Sequence, residues 1–238
     1  MKQPHEKTHK TAPGHETQII SYMTLRKAVG WLGILLPFEL VLGAFLFGCC
    51  CTIQPSISHY YFTTTRELLE GTMCAVSLFL FCYKGPEKWD SWTSNFAGLC
   101  AVSIALFHTS SDGFACQTLP ASLFTFKWQN DIHLASGALF FITLALMSLF
   151  LFTKGVPKSE RTLEKKKRNV IYIVCGILML LCVAGMIIYV LSPAPVNETV
   201  FWLEDVALWA FGLSWLTKGE ALFPDKPKVK PIVQIEES

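Results

Sequence analysis

Residues 170–191, VIYIVCGILMLLCVAGMIIYVL, contain no charged side chain. The hydrocarbon core of a bilayer takes about 20 consecutive apolar residues per helix and offers no water to an unpaired backbone. A run of this length and purity predicts a membrane-spanning helix. Five further stretches come close to the same requirement: 29–48, 66–84, 95–112, 132–153 and 201–217. The second and third stretches in chain order, 66–84 and 95–112, carry charged or imidazole groups near one end and take support from their neighbours. With 52% hydrophobic residues in 238, a water-soluble helical domain would have too little polar surface to cover itself. The sequence therefore predicts an all-α polytopic membrane protein with six transmembrane helices.

Orientation follows from the basic residues of the links. Of the 20 Lys and Arg residues, all but Arg66 and Lys127 fall in the N-terminal segment, the link after the second span, the loop KGVPKSERTLEKKKR and the C-terminal segment. Both termini are thus expected to be cytoplasmic. Residues 1–22 read as a mobile cytoplasmic tail, 23–222 as the membrane domain and 223–238 as a second cytoplasmic tail, rich in proline. No signal-peptide pattern is read, because a polar stretch precedes the first apolar run. The chain shows no internal repeat of the kind that builds many transporters. A net charge of +2 does not point to nucleic acid. The bilayer itself is the expected partner, in a bacterial inner membrane, with a lipid-like or small polar ligand as a further candidate.

Alternation of chain direction places most of the polar groups near the spans on one face, the outer one. Ser58, His59, Arg66, Glu67 and Glu70 lie at the entry of the second span, and His108 and Asp112 at the exit of the third. Asp131 and His133 lie at the entry of the fourth, and Glu204 and Asp205 at that of the sixth. Arg66 and Glu70 are spaced i,i+4, as are His108 and Asp112, so each pair can meet on its own helix. A stripe of small and polar residues, Asn95, Gly98, Ala101, Ala105 and His108, lets the third helix approach its neighbours closely. His59, His108 and His133 could hold zinc, leaving a fourth position for an activated water. Asp112 or Glu70 could then act as general base, and Ser58 could steady an oxyanion. The same groups also fit two plainer readings: charged helix ends at the headgroup level, or a metal-free acid–base or ligand-binding cluster.

Glu39 stands apart. It falls near the middle of the first span, two residues after Pro37, where a carboxylate is costly and is usually either functional or hydrogen-bonded. It is a candidate proton carrier or solute ligand, or else a group closing the gap left by a proline kink. Cys74, Cys82, Cys100, Cys175 and Cys182 fall inside apolar helices and read as packing residues. Cys49, Cys50, Cys51 and Cys116 fall on the outer side, where a disulfide between the first two outer loops is one alternative and packing or metal binding another. Trp31, Trp89, Trp92, Trp128, Trp202 and Trp215 are expected as interfacial anchors.

The segments SISHYYFTTTRELLEG, LFLFCYKG, NFAGLCAVSIALFH, IHLASGALFF and FWLEDVALWAFGLSWLTKGE resemble a group of small six-span bacterial inner-membrane proteins that carries no assigned activity. A fainter similarity is to the CREST membrane hydrolases, which include alkaline ceramidases. That resemblance implies a zinc site built from Ser, Asp and three His at one membrane face, for which Ser58, Asp112, His59, His108 and His133 are the matching positions. The chain has neither the HxxxH that closes that site nor a seventh span. Two functions are therefore carried forward. One is metal-assisted hydrolysis of a lipid-like amide or ester at the outer cluster. The other is non-enzymatic transport or binding of a small polar or lipid solute through Glu39.

Overall fold

The computed structural model describes residues 13–48, 52–85, 87–111, 126–155, 157, 159, 161–193 and 195–224, with side chains from Tyr22 onward. Regular structure among them is entirely helical: α1 (Pro13–Phe47), α2 (Arg66–Cys82), α3 (Lys88–Leu106), α4 (Gln129–Leu146), α5 (Leu163–Leu191) and α6 (Thr199–Lys218). A 3-10 turn, Ile57–Phe62, precedes α2, and a π-helical stretch, Met147–Leu151, prolongs α4. Three of these helical segments are long and apolar enough to cross a membrane: Tyr22–Phe47, Gln129–Leu151 and Leu163–Leu191. The other three helices are shorter and carry charge, with Arg66, Glu67 and Glu70 on α2, Lys88 and Asp90 on α3, and Glu204, Asp205 and Lys218 on α6. Large apolar side chains face outward on every helix, among them Phe45, Leu78, Leu99, Phe150, Leu181 and Leu213. Water would not tolerate apolar exposure on this scale, whereas lipid tails would.

Each helix packs against the next, and α6 returns to α1, so the six close into a ring. Association between helices in lipid relies on close backbone approach and on buried hydrogen bonds. Both are present. A Cβ built on Gly212 would lie 2.5 Å from the Gly30 carbonyl oxygen, and one on Gly30 would lie 2.8 Å from that of Gly212, so α1 and α6 touch backbone to backbone at these two glycines. Between α2 and α3, the buried Ser77 hydroxyl donates to the Gly98 carbonyl at 2.8 Å. Ser148, fully buried in the π-helical stretch, donates to the Tyr172 carbonyl of α5 at 2.8 Å and lies 2.7 Å from the Ser214 hydroxyl of α6. These two bonds join three helices at one point.

Several boundaries differ from those expected. α1 starts at Pro13, inside the stretch 1–22 read as a tail. No proline falls between Pro13 and Pro37, so a helix nucleated in the apolar span can propagate back through the polar residues. α3 begins at Lys88 rather than 95 because Glu87 and Asp90 form a reciprocal capping box, with the Glu87 amide 2.9 Å from Asp90 Oδ2. α5 begins at Leu163 because the Thr162 hydroxyl accepts from the Lys165 amide at 3.1 Å. Trp31, Trp89, Trp92, Trp128 and Trp202 are exposed, but Trp215 is not an anchor. It is buried at the centre of an aromatic cluster, 5.2 Å from the Tyr83 ring and 5.5 Å from that of Phe152. Cys100, Cys175 and Cys182 are buried packing residues, whereas Cys74 and Cys82 face outward. Cys49, Cys50, Cys51 and Cys116 lie outside the described residues.

Candidate active site

The chain between α1 and α2 folds back onto the start of α6. The Phe201 amide donates to the Pro55 carbonyl at 2.9 Å, and the Ile57 amide donates to Glu204 Oε2 at 2.6 Å. The Glu204 carboxylate thereby takes up an amide at the head of the 3-10 turn, where no intrahelical partner exists. This pinning fixes the position of Ser58, the second residue of the turn.

Ser58 Oγ lies 2.7 Å from His133 Nε2. His133 stands in the first turns of α4 and is only 6% exposed. Its other ring nitrogen, Nδ1, is 2.5 Å from the carbonyl oxygen of Phe107, the residue that caps the C-terminal end of α3. A carbonyl only accepts, so Nδ1 carries the proton and Nε2 presents its lone pair to the Ser58 hydroxyl. The last carbonyls of a helix have no partner within it, and His133 supplies one here. The result is a hydroxyl, a neutral imidazole and an oxygen that orients the imidazole, in the order that activates a nucleophilic serine. A backbone carbonyl stands where a carboxylate stands in the Ser-His-Asp arrangement.

A cavity of about 460 Å³ opens on this pair. Ile104 of α3, Leu134 and Phe141 of α4, Val183 and Ile187 of α5, and Val200 of α6 make most of it apolar. Gly137 also lines it, and a Cβ there would meet nothing within 4 Å. Polar groups gather at the Ser58 end, where Ser56, His59, Thr109, Ser110, Asn130 and Glu204 line the wall. Asn130 Oδ1 accepts from the Thr109 hydroxyl at 3.1 Å and from the Ser110 amide at 2.8 Å. Because both bonds use the oxygen, its Nδ2 is left as a donor beside the cavity.

The three outer histidines do gather at one end of the bundle, but they do not assemble the zinc set expected of them. Both ring nitrogens of His133 are committed. His59 Nδ1 lies 2.6 Å from Ser56 Oγ, and His108 Nδ1 lies 2.7 Å from the Thr109 carbonyl oxygen, with the His108 ring stacked on Tyr61 at 4.5 Å. Among the described residues, no group of three His, Cys, Asp or Glu is placed to hold a metal. Each imidazole is instead turned by a local oxygen.

The remaining candidates are dispersed. Asp112 lies outside the described residues. Arg66 donates from Nε to the Tyr61 carbonyl at 2.8 Å and lays its guanidinium 4.2 Å over that ring, holding the turn against α2. Glu67 is exposed and Glu70 half-buried, and neither lines the cavity. Glu39 is half-buried on α1, which contributes no residue to the cavity. Neither the Phe107 carbonyl nor Asn130 is marked by a sequence pattern, and Gly137, which reads with Ser136 as a close-packing stripe after His133, instead faces open space. A main-chain carbonyl leaves no mark in a sequence, and Asn130 stood next to His133 and Asp131 without a spacing to single it out.

No protein-family model matches this chain, and no curated protein or solved structure matches it.

Proposed function

We propose that this protein is a six-span membrane acyl hydrolase, with both termini cytoplasmic, that cleaves a lipid-like ester or amide entering from the outer leaflet of a bacterial inner membrane. The single observation that carries the reading is the 2.7 Å contact between Ser58 Oγ and His133 Nε2 at the polar end of an apolar cavity. Ser58 Oγ attacks the acyl carbonyl carbon while its proton passes to His133 Nε2. The oxyanion that forms faces Asn130 Nδ2, a donor held in place by the two bonds to its oxygen. Collapse of that intermediate breaks the bond to the leaving alcohol or amine, which takes the proton from His133. Water, activated by the same imidazole, then attacks the acyl-Ser58 ester and releases the carboxylic acid.

This assigns Ser58 the nucleophile's role rather than that of an oxyanion donor, and gives the base's role to His133 in place of Asp112 or Glu70. A metal-assisted form of the reaction would require His59, His108 and His133 to turn from the oxygens they now face. The competing function, solute transport through Glu39, draws no support from the cavity, since that residue does not border it. The basic residues of the alternate links support the topology, and the arrangement of domains as 1–22, 23–222 and 223–238 follows it. The resemblance to six-span inner-membrane proteins supports the location.

The test is hydrolysis of a dodecanoyl p-nitrophenyl ester by the purified full chain in detergent. Ser58→Ala is expected to abolish it and His133→Ala to lower it by about 10²–10⁴-fold, the usual worth of a positioned base. Undiminished activity in Ser58→Ala would overturn the proposal.

A further inference from the structure

A second pocket, of about 410 Å³, adjoins the first across a shared wall of Thr109, Ser110 and Asn130. Its character is different. Phe126, Lys127, Gln129 and His108 line it in place of aliphatic side chains. Gln129 opens α4 and is only 4% exposed, yet its Nε2 has no hydrogen-bond partner among the described residues. A buried amide nitrogen left unmatched is costly unless something outside the protein accepts from it. The Gln129 amide donates to the Phe126 carbonyl at 3.1 Å, and the Asn130 amide, in the first turn of this 18-residue helix, joins the positive end of the helix dipole in favouring an anion. Trp128, at the N-cap, makes no side-chain capping bond. Lys127 adds a full positive charge, and Asp131 of the same turn is exposed and does not line the pocket.

We propose that this second pocket, through Lys127 and Gln129, receives an anionic phosphate headgroup while the apolar cavity receives the acyl chain, so that the substrate is a single-chain acyl ester bearing a phosphate on its leaving alcohol. The inference rests on the reading of Ser58 and His133 as the acyl-transfer pair. Asn130 stands on the wall common to both pockets, which puts the ester carbonyl between chain and head. With about 30 Å³ for each water-sized group, the apolar cavity holds a chain of roughly a dozen carbons.

The test separates headgroup recognition from catalysis by using ether-linked probes that cannot be hydrolysed. Dodecyl-glycerol phosphate and dodecyl-glycerol are titrated against the full chain in detergent. The phosphate form is expected to bind about tenfold more tightly, a fair return for charge-assisted bonds to Lys127 and Gln129. Lys127→Ala and Gln129→Leu should each erase most of that preference and leave the affinity for dodecyl-glycerol unchanged. Lys127 is exposed, so its variant keeps the test readable should Gln129→Leu fail to fold. Inorganic phosphate at matched concentration should not displace the lipid. Equal affinity for the two probes, or a preference that survives in Lys127→Ala, would overturn the proposal, and displacement by inorganic phosphate would reassign the site to the free ion. Ser58→Ala should keep the preference. If the corresponding ester is not hydrolysed while the preference holds, it is the catalytic reading that fails.

Discussion

His133 donates through Nδ1 to the carbonyl of Phe107, and this one bond decides which ring nitrogen is left for Ser58. A proton added to this imidazole can land only on Nε2. There it would displace the hydroxyl proton and remove the base.

Hydrolysis should therefore rise with pH along a single acid limb and level off once the imidazole is neutral. Measurement of kcat/KM for the dodecanoyl ester across pH checks this. A rate that does not fall on acidification would remove His133 from the chemistry.

The ring of helices makes a prediction about packing that is independent of function. A Cβ at Gly212 meets the Gly30 carbonyl oxygen and Ile34 Cγ1, both at 2.5 Å. Neither helix can yield without disturbing the other interface it makes. Gly212→Ala should destabilise the protein by about 1–3 kcal/mol, the common cost of overpacking. Gly137→Ala, facing open space, should be silent. Unfolding of the two variants in detergent tests the pair, and equal stabilities would contradict the close approach of α1 and α6.

Gly137 also offers a probe of the cavity. Gly137→Phe should raise KM for a dodecanoyl ester severalfold while sparing an acetyl ester, because the new ring would occupy space meant for the chain. Parallel loss on both substrates would mean that the chain lies elsewhere.

The helical plan of this fold was legible because lipid imposes a simple rule: long uncharged runs become helices. The 3-10 turn and the start of α1 were not legible. The turn depends on Glu204, far along the chain, and the start of α1 on propagation from the apolar span that follows it in the same helix. The site was half visible. His133, Ser58 and Glu204 stood out as polar groups beside spans, and all three border the cavity. Their roles did not, since zinc and a Ser-His pair draw on the same residue types. What separates them is where each ring nitrogen points, set by carbonyls at Phe107 and Thr109 that no side-chain pattern records. Glu39 belongs to a related case: composition marks a carboxylate within an apolar run but does not say whether its helix faces a cavity, and α1 contributes no residue to this one.

Orientation can be checked with reporter fusions. Fusions after Lys166 and Glu236 should report cytoplasm, and fusions at Ser122 and Asn197 the outer side. A cytoplasmic signal at Ser122 would move Ser58 and His133 to the inner leaflet.

The most direct measurement is covalent. A fluorophosphonate, which reacts with a serine only where a base withdraws its proton, is incubated with the full chain in detergent and the adduct is mapped by mass spectrometry. The account predicts modification at Ser58 in the wild type and none in His133→Ala. An unmodified Ser58, or equal modification without His133, would contradict it.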